Sequence, residues 1–192
     1  MGGDVPPVMS CEPIMKNSYR FPAILALALA ASAVMRAQAP QEKPKTPLPN
    51  YVELSPHIGT GGQPDETGLK QLAEKGYQAI INLRTSGEGV DLAAEEKLAM
   101  QYGLRYFMVP FNPREPSEAQ ALAFNALMSA LKEDKVFVHC TAGVRVGSFM
   151  MIYLVLEQGM PREQAEQEAR KVGLRTPALL DFANQVIDRH KK

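Results

Sequence analysis

A thiol and a guanidinium share one short loop in this chain: Cys140 and Arg145, separated by Thr141, Ala142, Gly143 and Val144. The β-branched apolar run Val136-Phe137-Val138-His139 leads straight into Cys140, and an apolar stretch of helical length follows from Ser148. The pattern predicts a strand, an anion-sized loop and a helix start. Unpaired N–H groups and the positive dipole end at a helix start favour a bound anion, and favour a thiolate over a thiol. One field would thus serve two purposes, holding an oxyanion and making Cys140 a nucleophile.

The elements that must position this loop are legible on either side of it. Tyr51–Leu54 reads as a short first strand, followed by a Gly-rich loop, His57 to Pro64. Asp65 reads as the N-cap of a helix that Gly76 stops. Tyr77–Leu83 is a second strand, ending at Arg84 and the Gly-rich turn Ser86–Gly89. Asp91–Gln101 is helical, Leu104–Val109 a strand, and Ser117 caps a helix from Glu118 to about Lys132. Beyond the loop, Ser148–Gln158 is apolar almost all round and predicts a buried helix. Pro161 and Thr176-Pro177 open two more helices, the last running to about Arg189. Strands alternating with helices predict a single α/β domain with a mostly parallel central sheet flanked by helices. Ligands of such sheets bind at the carboxyl ends of strands, where Cys140 falls.

Composition narrows the function. With 192 residues, 21 basic against 21 acidic side chains and no basic run beyond the terminal Arg189-His190-Lys191-Lys192, no nucleic-acid surface is expected. Two Cys and three His leave no zinc-type spacing, and neither metal nor cofactor is expected. The amino terminus reads as targeting sequence. Lys16 and Arg20 precede an apolar run of roughly 15 residues, Phe21–Met35, and then Ala37-Gln38-Ala39. Residues 1–39 are therefore expected to form a cleaved signal segment whose true start is Met15, residues 40–50 a Pro-rich linker, and residues 51–190 the domain. The expected location is periplasmic or secreted, with membrane contact only through an uncleaved signal segment. After cleavage Cys140 is the only cysteine left, which is unusual for an exported chain.

His139-Cys140-Thr141-Ala142-Gly143-Val144-Arg145-Val146-Gly147, with Gly61-Gly62-Gln63-Pro64 and Ile80-Ile81-Asn82-Leu83-Arg84 upstream, resembles the cysteine-dependent phosphatase superfamily. More closely, it resembles the compact bacterial phosphatase-like domain also known as the β-lactamase-hydrolase-like domain. The resemblance covers about Tyr51 to Val186 and implies a cysteine phosphatase-like fold acting on a phosphorylated substrate, protein or small molecule. It implies Cys140 as the thiolate that attacks phosphorus and Arg145 as a clamp on the phosphoryl oxygens, roles that suit thiolate and guanidinium chemistry. Backbone amides of Thr141, Ala142, Gly143, Val144 and Val146 would complete the anion site. Arg84 is expected either to draw anions toward the site or to form a structural ion pair. Gln63 is expected either to position a water or to brace the loop.

The chain departs from the phosphatase pattern in three places. The common loop has five residues between Cys and Arg, and here there are four. The position after the Arg, usually a hydroxyl residue that helps the departing thiolate, is Val146; Thr141 and Ser148 are the nearest substitutes. The upstream loop Phe111–Pro116 lacks the usual acidic Asp, so Glu115 is the leading candidate for general acid, with Glu118 and Asp65 behind it. The shortened loop also resembles that of rhodanese-like sulfurtransferases, in which Cys140 would carry a persulfide. A third reading is a module that binds anions without turnover. The favoured expectation is a phosphatase hydrolysing phosphate monoesters, a protein tyrosine phosphatase among the possibilities.

Overall fold

The structure, a computed structural model, describes residues 46–191, so the expected signal segment, the Met15 start and most of the linker lie outside the described residues. Five four-residue strands build one sheet: β1 (Val52–Ser55), β2 (Ile58–Gly61), β3 (Ala79–Asn82), β4 (Arg105–Met108) and β5 (Val136–His139). Their order is β1-β2-β5-β3-β4; β1 is antiparallel to β2 and the remaining pairs are parallel. The helices are α1 (Glu66–Glu74), α2 (Leu92–Gln101), α3 (Glu118–Ala130), α4 (Val144–Leu156), α5 (Arg162–Val172) and α6 (Pro177–His190). None of the described helices is long and apolar enough to cross a membrane.

Three expectations are corrected. The stretch read as a Gly-rich loop contains β2, a strand paired in parallel with β5. Its glycines are there for space: a Cβ on Gly59 would collide with the Tyr77 hydroxyl, and one on Gly61 would come within 3.0 Å of the Phe137 ring. Propensity argues against glycine in strands, and close approach of neighbouring side chains overrides it. Second, α4 begins at Val144 rather than Ser148, so Arg145 sits inside its first turn. Third, the carboxyl end of the supposed tether packs on the domain. Leu48 joins the apolar cluster of Leu69, Leu72, Tyr77 and Phe137, while the carbonyls of Pro47 and Pro49 accept from the N–H groups of Asp65 and Gly62. The caps fare better, since the Asp65 and Asp91 carboxylates accept from Gly68 and Ala94 N–H, although Ser117 makes no side-chain cap bond.

The sheet is covered on both faces, as its apolar strands require. β3 and β5 are buried along their whole length. On one face α4 is buried from Arg145 to Val155 and packs against α3, α5 and α6. The rings of Phe111 and Phe124 meet Phe149 edge-on at centroid distances of 4.7 and 5.2 Å. Such pairs add roughly 0.5–1.5 kcal/mol each beyond area burial. This packing anchors Phe111, the first residue after β4 and its Val109-Pro110 exit, and its carbonyl reaches the site described below.

Candidate active site

Cys140 follows the last residue of β5 and is 2% exposed. The chain turns at Gly143, whose φ of 89° and position as N-cap allow α4 to start at once. A side chain there would be strained by that φ, and its Cβ would lie 2.7 Å from the Val172 carbonyl. The Gly143 N–H donates to the Cys140 Sγ at 3.1 Å. The loop is strapped from outside: Gln63 N–H donates to the Thr141 carbonyl at 3.2 Å, and the Asn50 amide donates to the Ala142 carbonyl at 3.1 Å.

Arg145 is 8% exposed, and both of its terminal nitrogens are engaged by protein acceptors. Its Nη1 donates to the carbonyls of Leu83 (3.2 Å) and Phe111 (3.1 Å) and to Glu88 Oε1 (2.6 Å). Its Nη2 donates to Glu88 Oε2 (2.7 Å) and the Thr141 hydroxyl (2.9 Å). Burial works against the guanidinium charge, but Glu88 and Cys140 outweigh it and raise the Arg145 pKa above its ordinary value.

Glu88 belongs to the 3₁₀ turn Ser86–Glu88 after β3, where it closes a capping box with Thr85. Besides Arg145, its Oε1 accepts from the Thr85 N–H (2.8 Å) and hydroxyl (3.1 Å), and its Oε2 from Arg84 Nε (3.2 Å) and the Thr141 hydroxyl (3.0 Å). Arg145, foremost, holds this carboxyl well below the usual carboxylate range. Sequence reasoning missed Glu88. The available signal was a carboxylate in a Gly-rich turn at the carboxyl end of a strand next to the Cys strand.

Cys140, Thr141, Ala142, Val144 and Arg145 line one cavity of about 780 Å³, together with Glu88 and residues of the loops after β4 and α5. Gly143 and Val146 are outside the lining, and Val146 is fully buried. Arg84 and Gln63 are also outside it: Arg84 Nη1 donates to Gln63 Oε1 at 2.9 Å, and Arg84 Nε pairs with Glu88 Oε2 at 3.2 Å. Ser148 donates its hydroxyl to the Arg145 carbonyl (2.9 Å), and the Thr141 hydroxyl bridges Glu88 and Arg145. The loop after β4 contributes Asn112, Pro113 and Arg114 to the cavity but not Glu115, whose carboxylate accepts from the Asn112 amide at 3.4 Å. Asp65 caps α1, and Glu118 pairs with Arg189 and His190, both away from the lining.

His139 is fully buried behind Cys140, its Nε2 3.1 Å from Glu95 Oε1 on α2. Glu95 Oε2 accepts from Tyr106 hydroxyl (2.9 Å) and Asn82 amide (3.0 Å). Burial alone would raise the Glu95 pKa, but the His139, Tyr106 and Gln63 interactions together outweigh it and the net direction is downward. A second cavity, of about 850 Å³, lies at the amino ends of β2 and β5 and holds none of these groups. Among the described residues no cluster of three or more His, Cys, Asp or Glu is placed to hold a metal ion.

Comparison with known proteins bears on this geometry. The family model described as DSP-PTPase phosphatase fused to NAD+ kinase matches residues 50–184. A β-lactamase hydrolase-like protein of Xylella fastidiosa is 33% identical over 120 residues, and one from Agrobacterium fabrum is 29% identical over 125. These alignments take in 60% and 64% of this chain but only 27% and 29% of the relatives' length. Among solved structures, a DUF442 phosphatase from Shewanella putrefaciens CN-32 superposes with a TM-score of 0.66 at 24% identity, covering 74% of this chain and 94% of the other. Tk-PTP in its active form gives 0.61 at 20% identity, over 73% and 98%. The P. aeruginosa protein TpbA, as a cysteine-to-serine variant in complex with pTyr, gives 0.57 at 19% identity, over 74% and 85%. These likenesses establish the cysteine-phosphatase fold.

Proposed function

From the premise that the chain belongs to the DSP-PTPase family of cysteine-dependent phosphatases, which spans residues 50–184, we propose that it hydrolyses phosphate monoesters through a cysteinyl-phosphate on Cys140. The observation that carries this reading is the Gly143 N–H on the Cys140 Sγ at 3.1 Å, with Cys140 and Arg145 lining one cavity. In the first step the Cys140 thiolate attacks phosphorus, the bond from phosphorus to the ester oxygen breaks, and the leaving group departs with the electron pair. In the second, water attacks phosphorus, the S–P bond breaks, thiolate is restored and inorganic phosphate leaves, the water proton passing to solvent. The loop amides and Arg145 meet the negative charge on the phosphoryl oxygens, which is the main catalytic task in such a transfer. We further propose that this takes place outside the cytoplasm, on the strength of the amino-terminal sequence pattern; cell fractionation of the full chain would test it.

The assay is release of phosphate from p-nitrophenyl phosphate. Cys140→Ser is expected to abolish turnover while retaining phosphate binding, and Arg145→Ala to weaken both. A parallel thiosulfate-to-cyanide assay addresses the sulfurtransferase alternative. Sulfur transfer without phosphate release, or undiminished turnover in either variant, would overturn the reading.

A further inference from the structure

The segment that leads into β1 reaches back to the Cys140 loop through one side chain. Asn50 Nδ2 donates to the Ala142 carbonyl at 3.1 Å, across 92 positions of sequence. The backbone around Asn50 is anchored first: the Pro47 carbonyl accepts from Asp65 N–H at 3.2 Å and the Pro49 carbonyl from Gly62 N–H at 2.7 Å. Gly62 in turn forms an antiparallel bridge with Ala142, and a Cβ on it would lie 2.8 Å from the Thr141 carbonyl and 3.3 Å from Pro49 Cβ. Segment, glycine and loop are therefore stacked in direct contact. Asn50 has a φ of 51°, and among the described residues no other non-glycine residue has a positive φ. Asparagine meets both demands of the position, because it tolerates left-handed backbone and carries an amide donor.

What the Asn50 bond controls is the orientation of one peptide. In a planar trans peptide the carbonyl of Ala142 and the N–H of Gly143 point in opposite directions. With the carbonyl held outward by Asn50, the N–H faces Cys140 Sγ and reaches it at 3.1 Å. Reversed, the same peptide would aim the negative end of its dipole at the sulfur and at any anion beside it. Glycine accepts φ of either sign, so Gly143 gives this peptide little resistance of its own to reversal. The preceding peptide is held by backbone, its Thr141 carbonyl accepting from Gln63 N–H at 3.2 Å. The Ala142 carbonyl is held by a side chain.

Resting on the phosphatase reading above, we propose that Asn50 is a positioning residue for the reaction: by holding the Ala142 carbonyl outward it keeps the Gly143 N–H on the nucleophile and the loop in its anion-accepting form. Asn50 is not among the residues that line the cavity, so it acts through the peptide and not on the substrate. An N–H already aimed at sulfur favours the thiolate that attacks phosphorus. It also needs no reorganisation when negative charge gathers at the site during transfer.

The test compares Asn50→Gly and Asn50→Asp with the parent, each in the full chain. Glycine keeps the left-handed backbone and removes the amide, whereas aspartate keeps the shape and puts an acceptor where the donor stood. The measurements are urea unfolding, kcat/KM on p-nitrophenyl phosphate, and the pH profile of alkylation by iodoacetamide, followed on the Cys140 peptide by mass spectrometry. The charged groups of the cavity, Glu88, Arg114 and Arg145, and the His139–Glu95 pair behind the thiol are the same in all three proteins. Asn50→Gly is expected to unfold close to the parent's urea midpoint, to lose about three- to tenfold in kcat/KM, and to move the alkylation midpoint up by about half to one pH unit, the worth of one hydrogen bond. Asn50→Asp is expected to shift the profile the same way and at least as far. An unmoved profile in Asn50→Gly would overturn the proposal, and so would a shift confined to Asn50→Asp, which would trace to the added charge. A loss of activity that only follows a loss of stability would overturn it as well. Absence of turnover in the parent chain would instead sink the phosphatase reading, while the alkylation profile would still decide the role of Asn50.

Discussion

Arg145 and Glu88 meet fork to fork, Nη1 to Oε1 at 2.6 Å and Nη2 to Oε2 at 2.7 Å. The pair joins the first turn of α4 to the turn after β3, and the same guanidinium holds the Leu83 and Phe111 carbonyls. One side chain thereby fixes three segments around the nucleophile. Bidentate geometry of this kind sets orientation as well as energy.

Glu88→Gln is expected to free Arg145 from its fixed orientation, destabilising the fold by about 1–3 kcal/mol through poorly paired buried donors. Urea unfolding and kcat/KM on p-nitrophenyl phosphate measure the two effects. Unchanged values in both would show that the pair is incidental.

The pH dependence of that loss follows from the depressed Glu88 pKa. A carboxylate whose folded pKa lies below its unfolded value of about 4.3 contributes stability that is fully present above that value and is lost as pH falls through the folded pKa. The stability gap between the parent chain and Glu88→Gln should therefore hold level through neutral pH and shrink only on the acid side of about pH 4.3. A gap that closes between about pH 6 and 8 would contradict the assignment of carboxylate linkage to Glu88.

Gly143→Ala asks an L side chain to adopt a φ of 89° and brings its Cβ within 2.7 Å of the Val172 carbonyl. The left-handed backbone alone costs roughly 1–2 kcal/mol. Because the displaced atom would be the N–H that reaches Sγ, activity should fall further than stability does. Thermal melts beside the steady-state assay separate these; an active, equally stable variant would count against the loop geometry.

Glu95→Ala removes the carboxylate that accepts from the Tyr106 hydroxyl and the Asn82 amide and lies 3.1 Å from His139 Nε2 in the layer behind Cys140. Leaving the buried Tyr106 and Asn82 donors without this acceptor costs about 1–3 kcal/mol, so a drop in the urea midpoint is expected. A drop within experimental scatter would mean that Tyr106 and Asn82 find another acceptor.

Asn125 on α3 is 2% exposed, and neither polar atom of its side chain has a protein partner. Asn125→Leu keeps a similar shape and removes two buried, unpaired groups, each worth up to about 1–3 kcal/mol. The variant should unfold at higher urea concentration, and a loss of stability would indicate an unseen partner for the amide.

The sequence by itself determined the elements and the reactive pair. Strand and helix followed from apolar period, and Cys140 and Arg145 share a loop because they are close along the chain, where spacing is readable. The caps at Asp65 and Asp91 were legible for the same local reason. Tertiary structure decided everything that depends on distant neighbours. It made a strand of Gly59 and Gly61 because Tyr77 and Phe137 leave no room for side chains. The left-handed turn at Gly143, beside the Val172 carbonyl, started α4 early, and Leu48 was drawn against the core. It also chose the carboxylate. Glu115 and Glu88 are equally acidic on paper, but only Glu88 stands at the carboxyl end of the strand beside β5, where sheet order, not sequence distance, delivers it to Arg145 across 57 positions.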